Sequence, residues 1–69
     1  MDRLPIQSSN LEAVGYDADN LVLEVEFKSG SVYQYEGVPI SVYDALMVAP
    51  SAGRYFYDAI RDKYPTTQV

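Results

Sequence analysis

The eight residues LVLEVEFK, Leu21 to Lys28, constrain the fold more than any other stretch of the chain. Side chains of an extended strand alternate between its two faces, so Leu21, Leu23, Val25 and Phe27 point one way and Val22, Glu24, Glu26 and Lys28 the other. The segment is expected to be a strand with one buried face, leaving Glu24 and Glu26 on a solvated face.

The next reversal of the chain fixes the register. Lys28-Ser29-Gly30 leads into SVYQYEGV, a second alternating run. A two-residue Ser29-Gly30 loop would pair Phe27 with Val32 and turn Gln34 and Glu36 onto the apolar face. A three-residue loop, with glycine in its last, positive-φ position, pairs Phe27 with Ser31, Val25 with Tyr33 and Leu23 with Tyr35. A slip of one residue turns every side chain over, and the register that buries no charge is favoured by several kcal/mol. The three-residue loop is the expectation, and it puts Tyr33 and Tyr35 on the core face.

Upstream, NLEAVGYD reads as another strand, turning through Asp17-Ala18-Asp19-Asn20, where Asx side chains bond nearby backbone amides. Gly15 within it is expected to mark a β-bulge. Downstream, Ser41 is the expected N-cap of a short helix in which Val42, Ala45, Leu46 and Ala49 recur at helical spacing until Pro50. Ser51 caps a second helix over SAGRYFYDAIRDKY, with Ala52, Tyr55, Phe56, Ala59, Ile60 and Tyr64 forming one stripe. Three strands with one apolar face and two amphipathic helices have one economical arrangement. The fold class is α+β: a three-stranded antiparallel meander followed by two helices packed on one face, β-β-β-α-α.

At 69 residues the chain holds one domain. Residues 1–7 are expected to form a flexible leader, residues 8–64 the domain, and residues 65–69 a frayed tail. Without cysteine or histidine, thiol catalysis and ordinary zinc sites are excluded, and no cofactor or metal is expected. Cysteine-free composition fits the reducing cytoplasm. No stretch approaches the roughly 20 apolar residues of a membrane-spanning helix. Ten acidic residues against five basic ones give a net charge of −5, which disfavours broad contact with a phosphate backbone.

The order of short motifs is more specific than any one of them. S-S-N-L and V-G-Y-D (Ser8 to Asp17), L-x-V-x-F (Leu23 to Phe27), Gly30, Y-Q-Y (Tyr33 to Tyr35), V-P (Val38, Pro39), S-A-G-R-Y-F (Ser51 to Phe56), I-R (Ile60, Arg61) and Tyr64 together resemble the KTSC domain family. That family takes its name from the C-terminus of some lysyl-tRNA synthetases and also occurs as stand-alone bacterial or phage proteins. The resemblance spans roughly residues 8 to 64. It implies binding of RNA, tRNA in particular, and supplies no catalytic set.

Several residues compete for a functional role. Arg54, Tyr57 and Arg61 lie at i, i+3 and i+7 of the expected second helix, with Lys63 near its end, a row able to hold phosphate and stack a base. The same residues also read as a solvated face, with Arg54 and Asp58 paired at i,i+4 and Asp58 and Arg61 at i,i+3. Tyr33 and Tyr35 resemble the stacking platforms of sheet-based RNA binders, yet the register sends them beneath the helices, leaving their hydroxyls at the core's margin. Ser51 and Gly53 open the second helix, where free amides can bind an anion; a serine cap with a close-packed glycine accounts for them without one.

Glu24 and Glu26 could form an acid-base pair, but a solvated strand face suffices for them. Asp17 and Asp19 mimic the start of a calcium loop whose later spacing fails, which leaves a turn. Ser8 and Ser9 lack any histidine base. The chain is therefore expected to be a non-enzymatic binding module for RNA. Two alternatives stand beside this: a protein-interaction or self-associating module anchored by Tyr43, Met47, Tyr55 or Tyr57, or an accessory protein that sequesters a phosphorylated small molecule near Ser51 to Arg54.

Overall fold

The computed structural model describes residues 1–69. Strands β1 (Leu4–Pro5), β2 (Leu11–Asp17), β3 (Val22–Phe27) and β4 (Val32–Glu36) are followed by helices α1 (Ile40–Val48) and α2 (Ala52–Ala59), and strand β5 (Thr66–Gln68) closes the order. All five strands form one antiparallel sheet in sequence order, β1 to β5. The fold is α+β with two helices, as expected, but the sheet has five strands where three were expected.

The β3–β4 register is the one derived from charge burial. Val25 lies opposite Tyr33, Leu23 opposite Tyr35 and Glu24 opposite Gln34, and the Phe27 amide donates to the Ser31 carbonyl at 2.9 Å. Gly30 has φ of +98°, the backbone conformation that a three-residue loop demands and that side chains disfavour. At the β2–β3 turn the Asp17 carboxylate accepts from the Asp19 amide at 3.0 Å, the Asn20 amide at 3.3 Å and the Asn20 side chain at 2.8 Å. These bonds hold its pKa below the usual carboxylate range, the Asn20 side-chain bond contributing most. Leu21, expected on the apolar face, instead takes a left-handed conformation in this turn and is exposed. The strand begins one residue later.

Both ends of the chain, expected to be loose, pair as edge strands. Leu4 and Pro5 pair with Val14 and Ala13, and Thr66 to Gln68 pair with Tyr35 to Tyr33. Neither segment is long enough to show a period-two pattern, so alternation gives no sign of them. Gly15 is not the bulge; the irregularity lies between Leu11 and Ala13. Its lack of a side chain serves the N-terminal strand, since a Cβ there would sit 2.6 Å from the Asp2 carbonyl oxygen. Across this bare position Arg3 reaches Glu24 and Glu26 on the sheet face away from the helices. Glu24, expected in solvent, is only 6% exposed, with Gln34 donating to it at 2.8 Å from the other side. Burial pushes its carboxyl up, but the hydrogen bonds from Gln34 and Arg3 and the Arg3 charge together outweigh that and hold it below the usual range.

The helices cover the other face. Leu11, Val14, Leu23, Val25 and Tyr35 from the sheet meet Leu46, Ala52, Phe56 and Ile60 in one core. Burying a side chain of this size contributes about 1.5–3 kcal/mol relative to leaving it exposed. Helix α1 is set by Tyr16, whose ring stacks on Tyr43 at 4.9 Å and whose hydroxyl donates to the Val38 carbonyl. Its N-cap is Pro39, without a side-chain bond, rather than Ser41; proline's fixed φ suits the start of a helix. Helix α2 starts at the expected Ser51 cap, where the Arg54 amide donates to the hydroxyl at 3.3 Å. It stops at Ala59, five residues before the expected end at Tyr64, because the chain turns through Asp62 at φ +61°. No helix is long and apolar enough to cross a membrane.

Candidate functional site

The early stop of α2 decides what the basic residues can do. Arg61 and Lys63 lie beyond the helix, so the expected Arg54-Tyr57-Arg61 row on one helical face is not formed. Arg54 turns to Asp58 at 3.6 Å on an open surface, the i,i+4 pair foreseen for a solvated face. Arg61 pairs with Asp62 at 3.9 Å rather than with Asp58. Its guanidinium carbon lies 4.9 Å from the centre of the Tyr57 ring, a cation–π contact on a tyrosine that is 61% exposed. Tyr57 and Arg61 are thus brought together, and Arg54 is not part of the pair. Lys63 is exposed and makes no ion pair.

Ser51 and Gly53 are engaged by the protein itself. The serine hydroxyl caps α2. A Cβ on Gly53 would stand 2.5 Å from the Asn10 side-chain oxygen and 3.2 Å from the Ser8 hydroxyl. The S-S-N turn, in which the Ser8 oxygen accepts from the amides of Asn10 and Leu11, therefore seats directly on the start of α2. The glycine is there for close approach.

Tyr33 and Tyr35 lie on the helix-covered face. Tyr35 is 4% exposed, and its ring meets Phe56 edge-on at 5.5 Å. Phe56 meets Phe27 at 5.4 Å, and Phe27 meets Tyr33 at 5.7 Å, in the same edge-to-face manner. Such pairs contribute about 0.5–1.5 kcal/mol each beyond area burial. Neither tyrosine hydroxyl hydrogen-bonds to the protein. No buried polar side-chain atom lacks a partner, so solvent reaches the Tyr35 hydroxyl from the opening that the ring lines. Burial first, and then the neighbouring Tyr33, push the Tyr35 phenol up to about 12, while Arg61 pulls it down slightly.

That opening is a groove of about 610 Å³, within the range of about 300–1,000 Å³ typical of small-molecule sites. Its floor is the aromatic cluster of Phe27, Tyr33, Tyr35 and Phe56. Ser9, Asn10, Lys28, Ser29 and Ser31 form the hairpin side, and Arg61, Asp62 and Thr66 come from the segment after α2. The Lys28 amide donates to the Asn10 carbonyl at 2.9 Å, which ties the hairpin to the S-S-N turn. Of the five cations, only Lys28 and Lys63 lack an ion pair, and Lys28 lines the groove. Sequence reasoning named Tyr33 and Tyr35 as supporting aromatics and Arg61 as part of a helix-face row; all three line this groove, and Lys28, Ser9, Asn10 and Phe56 were passed over. Lys28 alternates onto the same strand face as Glu24 and Glu26, so nothing in the sequence signalled that it would stand unpaired.

Comparison with known proteins places these features in context. The family model described as the KTSC domain matches residues 7–64. A stand-alone uncharacterized protein of Stutzerimonas stutzeri is 45% identical over 64 residues, covering 93% of this chain and 90% of its own. A lysine–tRNA ligase of Trichormus variabilis is 38% identical over 63 residues, covering 91% of this chain but only 11% of the ligase. The crystal structure of a KTSC domain protein from Yersinia pestis superposes with a TM-score of 0.96 at 38% identity, covering 99% of this chain and 96% of that one.

Proposed function

The chain belongs to the KTSC domain family, and from that premise we propose that it is a non-enzymatic binding module whose partner is RNA. The observation that carries this reading is the groove, whose lining includes Lys28, which has no ion pair, together with Tyr33 and Tyr35, whose hydroxyls make no hydrogen bond to the protein. Ammonium, phenol and serine hydroxyls are hydrogen-bond donors, suited to the acceptor-rich surface of a polynucleotide. The ligase relative, whose name couples lysine to tRNA, carries a similar segment within a much longer chain, which supports a role beside RNA.

The test is an NMR titration of labelled protein with a tRNA pool at low and moderate salt. Shifts centred on the groove residues that fade as salt rises are expected, because phosphate contacts release counterions. Absence of any shift, joined to a mass that grows with protein concentration, would overturn the RNA reading in favour of self-association. That second reading draws on α1, where Ile40 and Val48 are 55% and 82% exposed. Of its expected anchors, Tyr43, Met47 and Tyr55 pack against the core and only Tyr57 stands clear of it.

A further inference from the structure

We infer that the groove takes a single unpaired nucleotide, its base over the aromatic floor and its phosphate at Lys28 and Arg61, rather than a continuous run of backbone. The inference rests on the RNA reading and narrows it to one recognition unit.

Charge placement limits how many phosphates can be engaged. Arg3 is committed to Glu24 and Glu26 on the opposite face of the sheet, and Arg54 to Asp58 on the outside of α2. Of the three other cations, Lys28 from the hairpin and Arg61 from the turn after α2 line the groove, and Lys63 does not. Asp62 sits beside Arg61 at 3.9 Å, but its side chain is 90% exposed, so water screens the pair and leaves most of the guanidinium's charge available. A chain of net charge −5 with an unpaired lysine and a weakly paired arginine lining one groove repels a long polyanion overall while attracting one phosphate locally.

The remaining lining suits a base. Phe27 and Tyr33 are half-buried and offer the aromatic surface of the groove, held edge-on against Phe56 and Tyr35, which are only 4% exposed, and stacking on such rings favours any base. The phenol hydroxyls and Asn10 offer hydrogen bonds at its edge, as single-stranded RNA recognition requires. An opening of about 610 Å³ accommodates one such unit together with its phosphate.

Four probes resolve the matter when titrated into labelled full-length protein: AMP, inorganic phosphate, a short single-stranded oligoribonucleotide and a blunt duplex of the same sequence. AMP and the single strand are expected to shift the same amides around Asn10, Lys28, Tyr33 and Arg61, with the duplex far weaker. Neutralising one phosphate predicts a log-log salt slope of about −0.7 for the single strand. Lys28→Ala, on an exposed turn, is expected to weaken AMP and single-strand binding about tenfold while leaving the spectrum's dispersion intact. Equal affinity for the duplex, or single-strand shifts that avoid the groove, would overturn the single-nucleotide inference and leave the RNA reading standing. Shifts with AMP but with neither RNA would overturn the RNA reading and keep the nucleotide pocket. Phosphate reproducing the whole AMP pattern would remove the base from the account, and silence with all four probes would sink both proposals.

Discussion

Gly15 and Asp2 are in such close register that a methyl group on the glycine would lie 2.6 Å from the aspartate's carbonyl oxygen. The obstructing atom is backbone and cannot rotate away. Gly15→Ala is therefore expected to push β1 off the sheet, with a loss of about 1–3 kcal/mol typical of overpacking. Hydrogen exchange at the β1–β2 pairing would report it. Unchanged protection there would mean that β1 contributes little.

The same edge makes stability depend on acid. Glu24 has its folded pKa held below the ordinary 4.5, so its contribution is complete above that value and is lost as pH falls through the folded value. Asp17, held below 3.8, acts in the same direction. Glu24→Gln is expected to flatten the acid limb of a urea-denaturation series and leave the part due to Asp17. At neutral pH it is expected to cost about 2 kcal/mol, since charge-assisted hydrogen bonds are replaced by weaker ones. An acid limb unchanged by the substitution would show that other groups govern it.

Tyr35 makes a prediction at the opposite end of the scale. Its folded pKa is raised from 10.0 to about 12, so the stability it supplies is complete below pH 10 and declines as pH rises towards 12. Absorbance titration is expected to show two late phenols among the seven tyrosines, Tyr16, also raised by burial, and Tyr35, of which the Tyr35 step is absent in Tyr35→Phe. That variant loses no hydrogen bond to the protein, and its stability at neutral pH is expected to stay within about 1 kcal/mol. A larger loss would reveal a partner for the hydroxyl.

Arg61→Ala separates binding from architecture. The cation–π contact with Tyr57 lies on an exposed ring, where such contacts contribute about 0.5–1 kcal/mol. The variant is expected to melt within a few degrees of the parent while binding AMP and single-stranded RNA more weakly. Unfolding would assign the guanidinium a structural role instead.

Much of the fold was legible in the sequence, for identifiable reasons. The β3–β4 register followed from Gln34, Glu36 and Gly30, because a two-residue loop would have turned Gln34 and Glu36 onto the apolar face. The start of α2 followed from Ser51, whose side chain declares a cap. Gly15 was misread because a glycine serves either a bulge or a close approach, and the approaching strand is only two residues long. Glu24 was misread for the same reason, since its burial depends on Arg3, which lies beside that unseen strand. The end of α2 escaped because Asp62, which takes the left-handed turn, is neither glycine nor proline. With the helix drawn too long, Arg61 fell on the wrong surface and the groove stayed hidden.

The place where α2 stops also separates two kinds of change during descent. Residues that fill the core come from the sheet and from the helical region up to Ile60, whereas one side of the groove is built by the segment beyond it. Exchanges at Arg61 and Asp62 can redraw that side without reopening the core, against which the following Tyr64 packs. Relatives can thus diverge in what they hold while keeping the same scaffold, so ligand preference and foldability can be inherited separately.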